Sequence, residues 1–129
     1  DYDLSDYTEP INGKTVALFD DHVSHLNRIK YCFEKNIEFI ILDDDVSVET
    51  VHSDGCPPIP TANMLVNYEQ IPHHFSWVSN GRKGQADISN LDTKFINRNY
   101  SYLSAPDFFE YTGYQNTSTT SVMTKKRCA

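Results

Sequence analysis

The first regular apolar pattern in the chain is KTVALF, residues 14–19, a short run with β-branched residues that predicts a strand. From His22 to Asn36 the apolar positions Val23, Leu26, Ile29, Cys32 and Phe33 return at intervals of three and four. That spacing predicts a helix with one buried stripe. Asp20–Asp21 are placed to cap its start, and Asn36 to close it in the left-handed conformation. IEFIIL, residues 37–42, is almost continuously apolar and predicts a strand covered on both faces. Strand, helix and strand with short joints form a βαβ unit, so the two strands are expected to be parallel with a right-handed crossover.

Beyond this unit the periodicity weakens. Val46–His52 reads as a short helix, and GCPPIP follows, ending at Pro60. TANMLV (61–66) and IPHHFSWV (71–78) predict the two strands of a hairpin that turns at Tyr68–Gln70. NGRKGQ (80–85) reads as a loop, and Ile88–Phe95 and Asp107–Tyr111 as short helices. Residues 1–13, DYDLSDYTEPING, form an acidic arm ending in a turn signal. Residues 113–129 have the Ser/Thr-rich composition of a tail that orders only on a partner. The domain is therefore expected over 14–112.

At 129 residues the chain supports one hydrophobic core. A net charge of −7 opposes phosphate-backbone recognition, so nucleic-acid binding is not expected. No apolar run approaches a membrane span and no signal peptide is visible, which leads us to expect a location in the cytoplasm or within a virus particle. Cys32, Cys56 and Cys128 are odd in number and contain no CxxC pair. Cys32 falls on the buried helix face and reads as a small core residue.

Two stretches carry a family resemblance. Ser24-His25-Leu26-Asn27-Arg28-Ile29, continued by Glu34-Lys35-Asn36-Ile37-Glu38-Phe39, resembles the first helix and second strand of glutathione-transferase N-terminal domains, nearest the stringent starvation protein A branch. Ile59-Pro60-Thr61 resembles the strand that opens on a cis-proline in that family. The resemblance covers residues 14–78. It implies an α/β domain of thioredoxin-like type, a βαβ unit followed by a β-hairpin, with a cis bond at Ile59–Pro60. It also implies a ligand or partner surface at Ser24, His25, Ile59 and Pro60. Ser24 stands where glutathione-using members carry their Ser, Tyr or Cys, although Asn67-Tyr68-Glu69-Gln70 lacks their acidic–Ser pair. The stringent starvation branch binds RNA polymerase without catalysis, which implies an interaction role.

The remaining chemistry is acidic and imidazole-based. Asp43–Asp45 resemble the acidic motif of nucleotide-sugar transferases, where carboxylates hold a divalent metal against a diphosphate. Asp20–Asp21 with Asp43 resemble the acid pair and acceptor of phospho-receiver domains. Read from the residues alone, Asp20–Asp21 are a helix cap and Asp43–Asp45 a solvated strand end. His25 and one of His73–His74 could meet at a metal with an aspartate, but no metal ligand is assigned. HExxH, GxSxG and phosphate-loop motifs do not occur. No catalytic residue and no cofactor are expected. Residues 99–115, NYSYLSAPDFFEYTGYQ, are rich in rings of the kind favoured at protein interfaces, and nominate Tyr100, Tyr102, Phe108 and Tyr111 as a partner surface. The expected role is a non-enzymatic protein–protein interaction or assembly component, such as a viral structural or host-directed factor, whose partner is another protein or copies of itself. The alternatives are a glutathione-transferase-like enzyme using Ser24 and a metal-dependent transferase at Asp43–Asp45.

Overall fold

A computed structural model of the chain describes residues 15–104 and 120–126. Strand β1 (Val16–Phe19) and strand β2 (Phe39–Asp43) lie side by side and parallel, with Leu18 opposite Ile41, and helix α1 (His25–Glu34) joins them. The βαβ unit is thus as expected. Its helix starts later than the apolar period, because Ser24 rather than Asp20–Asp21 is the N-cap. Asp21 instead accepts from the Val23 amide (3.3 Å) and pairs with Arg28 (2.7 Å). At the other end Asn36 adopts φ +59, the left-handed turn that Asn tolerates, and closes the helix.

The remaining described elements are helix α2 (Ala62–Val66), strands β3 (His74–Ser79) and β4 (Arg82–Asp87), helix α3 (Lys94–Asn99), and strands β5 (Tyr100–Ser104) and β6 (Thr120–Lys125). One sheet has the order β1-β2-β6-β5, with β6 antiparallel to both neighbours; β3 and β4 form a separate two-stranded sheet.

Several expectations need correction. TANMLV is a helix, not a strand. Thr61 caps it by accepting from the Met64 amide (3.2 Å), and a six-residue apolar run does not by itself choose between the two periods. The Ile59–Pro60 bond that precedes it is cis, as expected. Tyr68–Gln70 is a 3-10 turn, and so is Val51–Ser53, which overlaps only the end of the helix expected over Val46–His52. The hairpin lies further on. Asn80 and Gly81 take φ +51 and +76 between β3 and β4, the doubly left-handed turn that Asn-Gly favours, so NGRKGQ is a turn and a strand rather than a loop. Lys94–Asn99 replaces the helix expected over 88–95. The largest correction concerns 113–129. Residues 120–125 are an interior strand of the main sheet, with Ser121 and Met123 buried beside half-buried Val122 and Thr124. The expected arm (1–13), the helix expected over 107–111 and the rest of the expected tail lie outside the described residues, apart from Lys126.

The main core lies on one face of the four-stranded sheet. Leu26, Ile29 and Cys32 of α1 meet Phe19, Ile40, Leu42, Tyr100 and Met123 from the strands, with Leu65 of α2 and Ile96 of α3. On the other face Leu18, Ile41, Val122 and Leu103 form one continuous cross-strand row, and Leu18 and Leu103 are 65% and 63% exposed. Among the described residues β2 is therefore covered on one face, not two. A second cluster of Val46, Val51, Met64, Tyr68 and Ile88 ties the hairpin to the proline-rich segment through Ile59, Phe75 and Trp77.

Candidate functional site: an acidic edge above a buried imidazole

Parallel strands end on the same edge of a sheet, so whatever follows β1 and β2 is brought together. Here β1 runs into Asp20-Asp21-His22 and β2 into Asp43–Asp45. Donor atoms from Asp20, Asp43 and Asp44 come within 4.8 Å of one another, and so do donor atoms from His22, Asp44 and Asp54. Asp44 is common to both sets, and it sits at φ +55.

Two features separate this edge from an ordinary solvated strand end. His22 Nδ1 lies 2.8 Å from the Cys56 carbonyl oxygen. A carbonyl only accepts, so Nδ1 carries the proton of that bond and the lone pair of the neutral ring sits on Nε2. A metal-ligating imidazole is oriented in the same way by its outer hydrogen bond. The second feature is Asp54. Its Oδ1 accepts from the Cys56 amide (2.9 Å), while Oδ2 is buried with no hydrogen-bond partner among the described residues. A carboxylate oxygen in that position lacks a compensating charge or donor. Burial and the neighbouring carboxylates of Asp54, Asp43 and Asp20 push Asp44 above the ordinary carboxylate value, and His22 only partly offsets them. Carboxylates suit a hard divalent cation such as Mg²⁺ or Mn²⁺, and an imidazole among them favours Mn²⁺.

Directly below lies a buried polar node. His25 is 1% exposed and Asp45 3%. The Ala62 amide donates to His25 Nδ1 (3.1 Å), which leaves Nε2–H to donate to the Asp43 carbonyl (3.0 Å). Asp45 Oδ1 accepts from the Asn63 amide (2.7 Å) and stands 3.5 Å from His25 Nδ1; Oδ2 accepts from the Tyr102 hydroxyl (2.6 Å). Burial pushes the Asp45 carboxyl up, but the hydrogen bonds it accepts from the Tyr102 hydroxyl and the Asn63 amide outweigh it and hold the group below its ordinary value. Asp45 is therefore no part of a solvated terminus. The chain turns inward at this residue because α2 offers it a free amide at its first turn, a position that favours an anion.

The nominated surface residues disperse. Ser24 is half-buried at the α1 N-cap, and the His25 amide donates to the Pro58 carbonyl (3.3 Å), which puts the Ile59–Pro60 segment against the helix start as expected. His25 and Tyr100 are interior, and the hydroxyl of half-buried Tyr102 is spent on Asp45, so these three do not make a partner surface. Phe108 and Tyr111 lie outside the described residues. The imagined meeting of His25 with His73 or His74 does not occur. His73 stacks on Tyr68 at 3.9 Å and bonds its carbonyl oxygen, while His74 is exposed beside Asp87. Sequence reasoning missed Asp54 entirely. The signal for it was Asp54-Gly55, a turn pair that folds the acid back over Cys56.

Comparison with protein-family models, with curated proteins and with solved structures gives no match. Among the described residues no helix is long and apolar enough to cross a membrane.

Proposed function

We propose that the protein holds a divalent cation at the acidic edge and uses it to bind a phosphate or diphosphate group, the chemistry of a metal-dependent transferase. The observation that carries this reading is the His22 ring, which has a nitrogen within 4.8 Å of ligand atoms of Asp44 and Asp54 and whose Nδ1–H, committed to Cys56, leaves the Nε2 lone pair free to bind. Asp20, Asp43, Asp44, Asp54 and His22 are the residues that would hold the ion. When bound, it would neutralise charge developing on a departing phosphate oxygen. The chain's own part is to gather the carboxylates, whose repulsion in the free protein makes a cation favourable. A phosphorylated ligand could not otherwise approach so acidic an edge.

The test is a thermal melt with Mn²⁺ or Mg²⁺. The melting temperature should rise for the wild type and stay fixed for Asp44→Asn, and inorganic pyrophosphate should bind only with the metal present. A wild-type melt unmoved by either ion would refute the reading.

A second reading rests on the sheet face opposite the core. The row Leu18–Ile41–Val122–Leu103 would be covered by a second copy of this chain, since one patch crossing both edge strands can pair with itself about a two-fold axis. Sedimentation should then show a dimer that Leu18→Asp dissociates, and a monomer at high concentration would count against it. The glutathione-transferase-like alternative at Ser24 has less support. Its thioredoxin-like basis reduces to the βαβ unit and the cis Ile59–Pro60 bond, because a helix follows that bond and the hairpin stands apart from the main sheet.

A further inference from the structure

We infer that His25 is a positioning residue for the metal edge, acting from inside the core through the backbone on both sides of Asp44; the inference rests on the metal reading above. The two carboxylates that matter most, Asp43 and Asp44, sit on a segment that leaves a strand and turns at φ +55. An Asp in that conformation costs more than a glycine would, so something must hold it. On the near side, His25 Nε2–H grips the Asp43 carbonyl (3.0 Å). On the far side, Asp45 is anchored by the Asn63 amide and the Tyr102 hydroxyl, and the Val46 amide closes back on the Asp44 carbonyl (2.8 Å). The Thr61 hydroxyl then donates to the Val46 carbonyl (2.7 Å). His25 is tied to the same frame, because the Ala62 amide fixes its Nδ1 as an acceptor.

One ring therefore links the start of α1, the end of β2 and the first turn of α2. The Asp43 and Asp44 side chains belong to the acidic edge, where the Asp43 carboxylate also accepts from the Thr120 hydroxyl (3.2 Å). Outer hydrogen bonds of this type fix the aim of metal ligands, and losing one typically costs about 10–100-fold in metal affinity.

The experiment is calorimetric titration of the full chain with Mn²⁺, paired with amide hydrogen exchange at Val46. His25→Met, which keeps bulk but loses the donor, should weaken Mn²⁺ binding about 10–100-fold and speed exchange at Val46. His25→Gln keeps an N–H for the Asp43 carbonyl and should recover most of the affinity. Ile29→Val, a core change on the same helix, should lower stability without moving affinity. Should His25→Met fail to fold, Tyr102→Phe keeps its ring, loses the hydroxyl that donates to Asp45, and should weaken Mn²⁺ binding in the same direction. Unchanged affinity in His25→Met or Tyr102→Phe, or an equal loss in Ile29→Val, would overturn the inference while leaving the metal reading in place. No Mn²⁺ binding by the wild type would overturn both.

Discussion

Asp44 and Asp45 are neighbours in the chain with opposite surroundings. Asp45 points inward to an amide, a hydroxyl and an imidazole, and its carboxyl is held below the ordinary value despite burial. Asp44 lies half-buried among three other carboxylates, and burial together with their charge pushes its carboxyl up. The same side chain is thus a structural anchor at one position and a source of repulsion at the next. An acidic run is defined by what its donors and neighbours are, not by its composition. Where donors converge, the carboxylate holds the fold together. Where acids converge with too few donors, the fold carries a cost that a ligand can relieve.

The largest expected effect tests the anchor. Asp45→Ala removes the acceptor shared by the Asn63 amide and the Tyr102 hydroxyl. Leaving a buried donor unsatisfied typically costs about 1–3 kcal/mol. A urea melt should show a loss of that size, and a loss below about 1 kcal/mol would mean that water replaces the carboxylate and the node is not an anchor.

Much of the framework behind this contrast was legible in the sequence. The three-and-four spacing of Leu26, Ile29 and Cys32 set the buried face of α1, and the run after Asn36 set β2, because strong periodicity survives tertiary context. TANMLV was not legible, since its length fits either period and the deciding feature is the hydroxyl of its first residue, Thr61, which caps the Met64 amide. Nor was β6, whose Val122 and Met123 sit among Thr, Ser and Lys that read as solvated chain. The acidic edge was visible as three aspartates. Their separate fates were not, because these depend on partners far away in the chain, Tyr102 for Asp45 and the Asp54–Cys56 loop for His22.

A smaller effect should appear in acid, where the two residues act with opposite sign. Asp45 has a folded value below its unfolded one, so it contributes stability in full above the ordinary carboxylate value of 3.8 and loses it as pH falls through the lowered folded value. Asp44 has a folded value above 3.8, so its ionised form costs stability near neutrality, and protonation removes that cost on the way down. Melts from neutral pH downward should therefore show a slight gain before the loss. Asp44→Asn should remove the gain and leave the loss; Asp45→Asn should flatten the loss. A wild-type curve that falls steadily from neutrality would contradict the assignment.

The smallest expected effect is also the most discriminating. Asp44→Asn removes one negative charge from a group of four and keeps a side chain able to accept hydrogen bonds and to tolerate positive φ. Asp44 is only partly buried, and exposed charges are well screened, so the change in stability should be below about 0.5 kcal/mol. Its sign should be favourable. A solvated strand end with no ligand predicts no change, or a slight loss, and no response to metal in either protein. An edge built to receive a cation predicts that the variant is marginally more stable alone and becomes less stable than the wild type once Mn²⁺ is added. That reversal reads function against stability at one residue, as expected where a site keeps uncompensated charge for a ligand. Matched melts with and without Mn²⁺ decide it. If the two proteins keep the same order in both conditions, Asp44 is a surface acid and the contrast with Asp45 is one of burial alone.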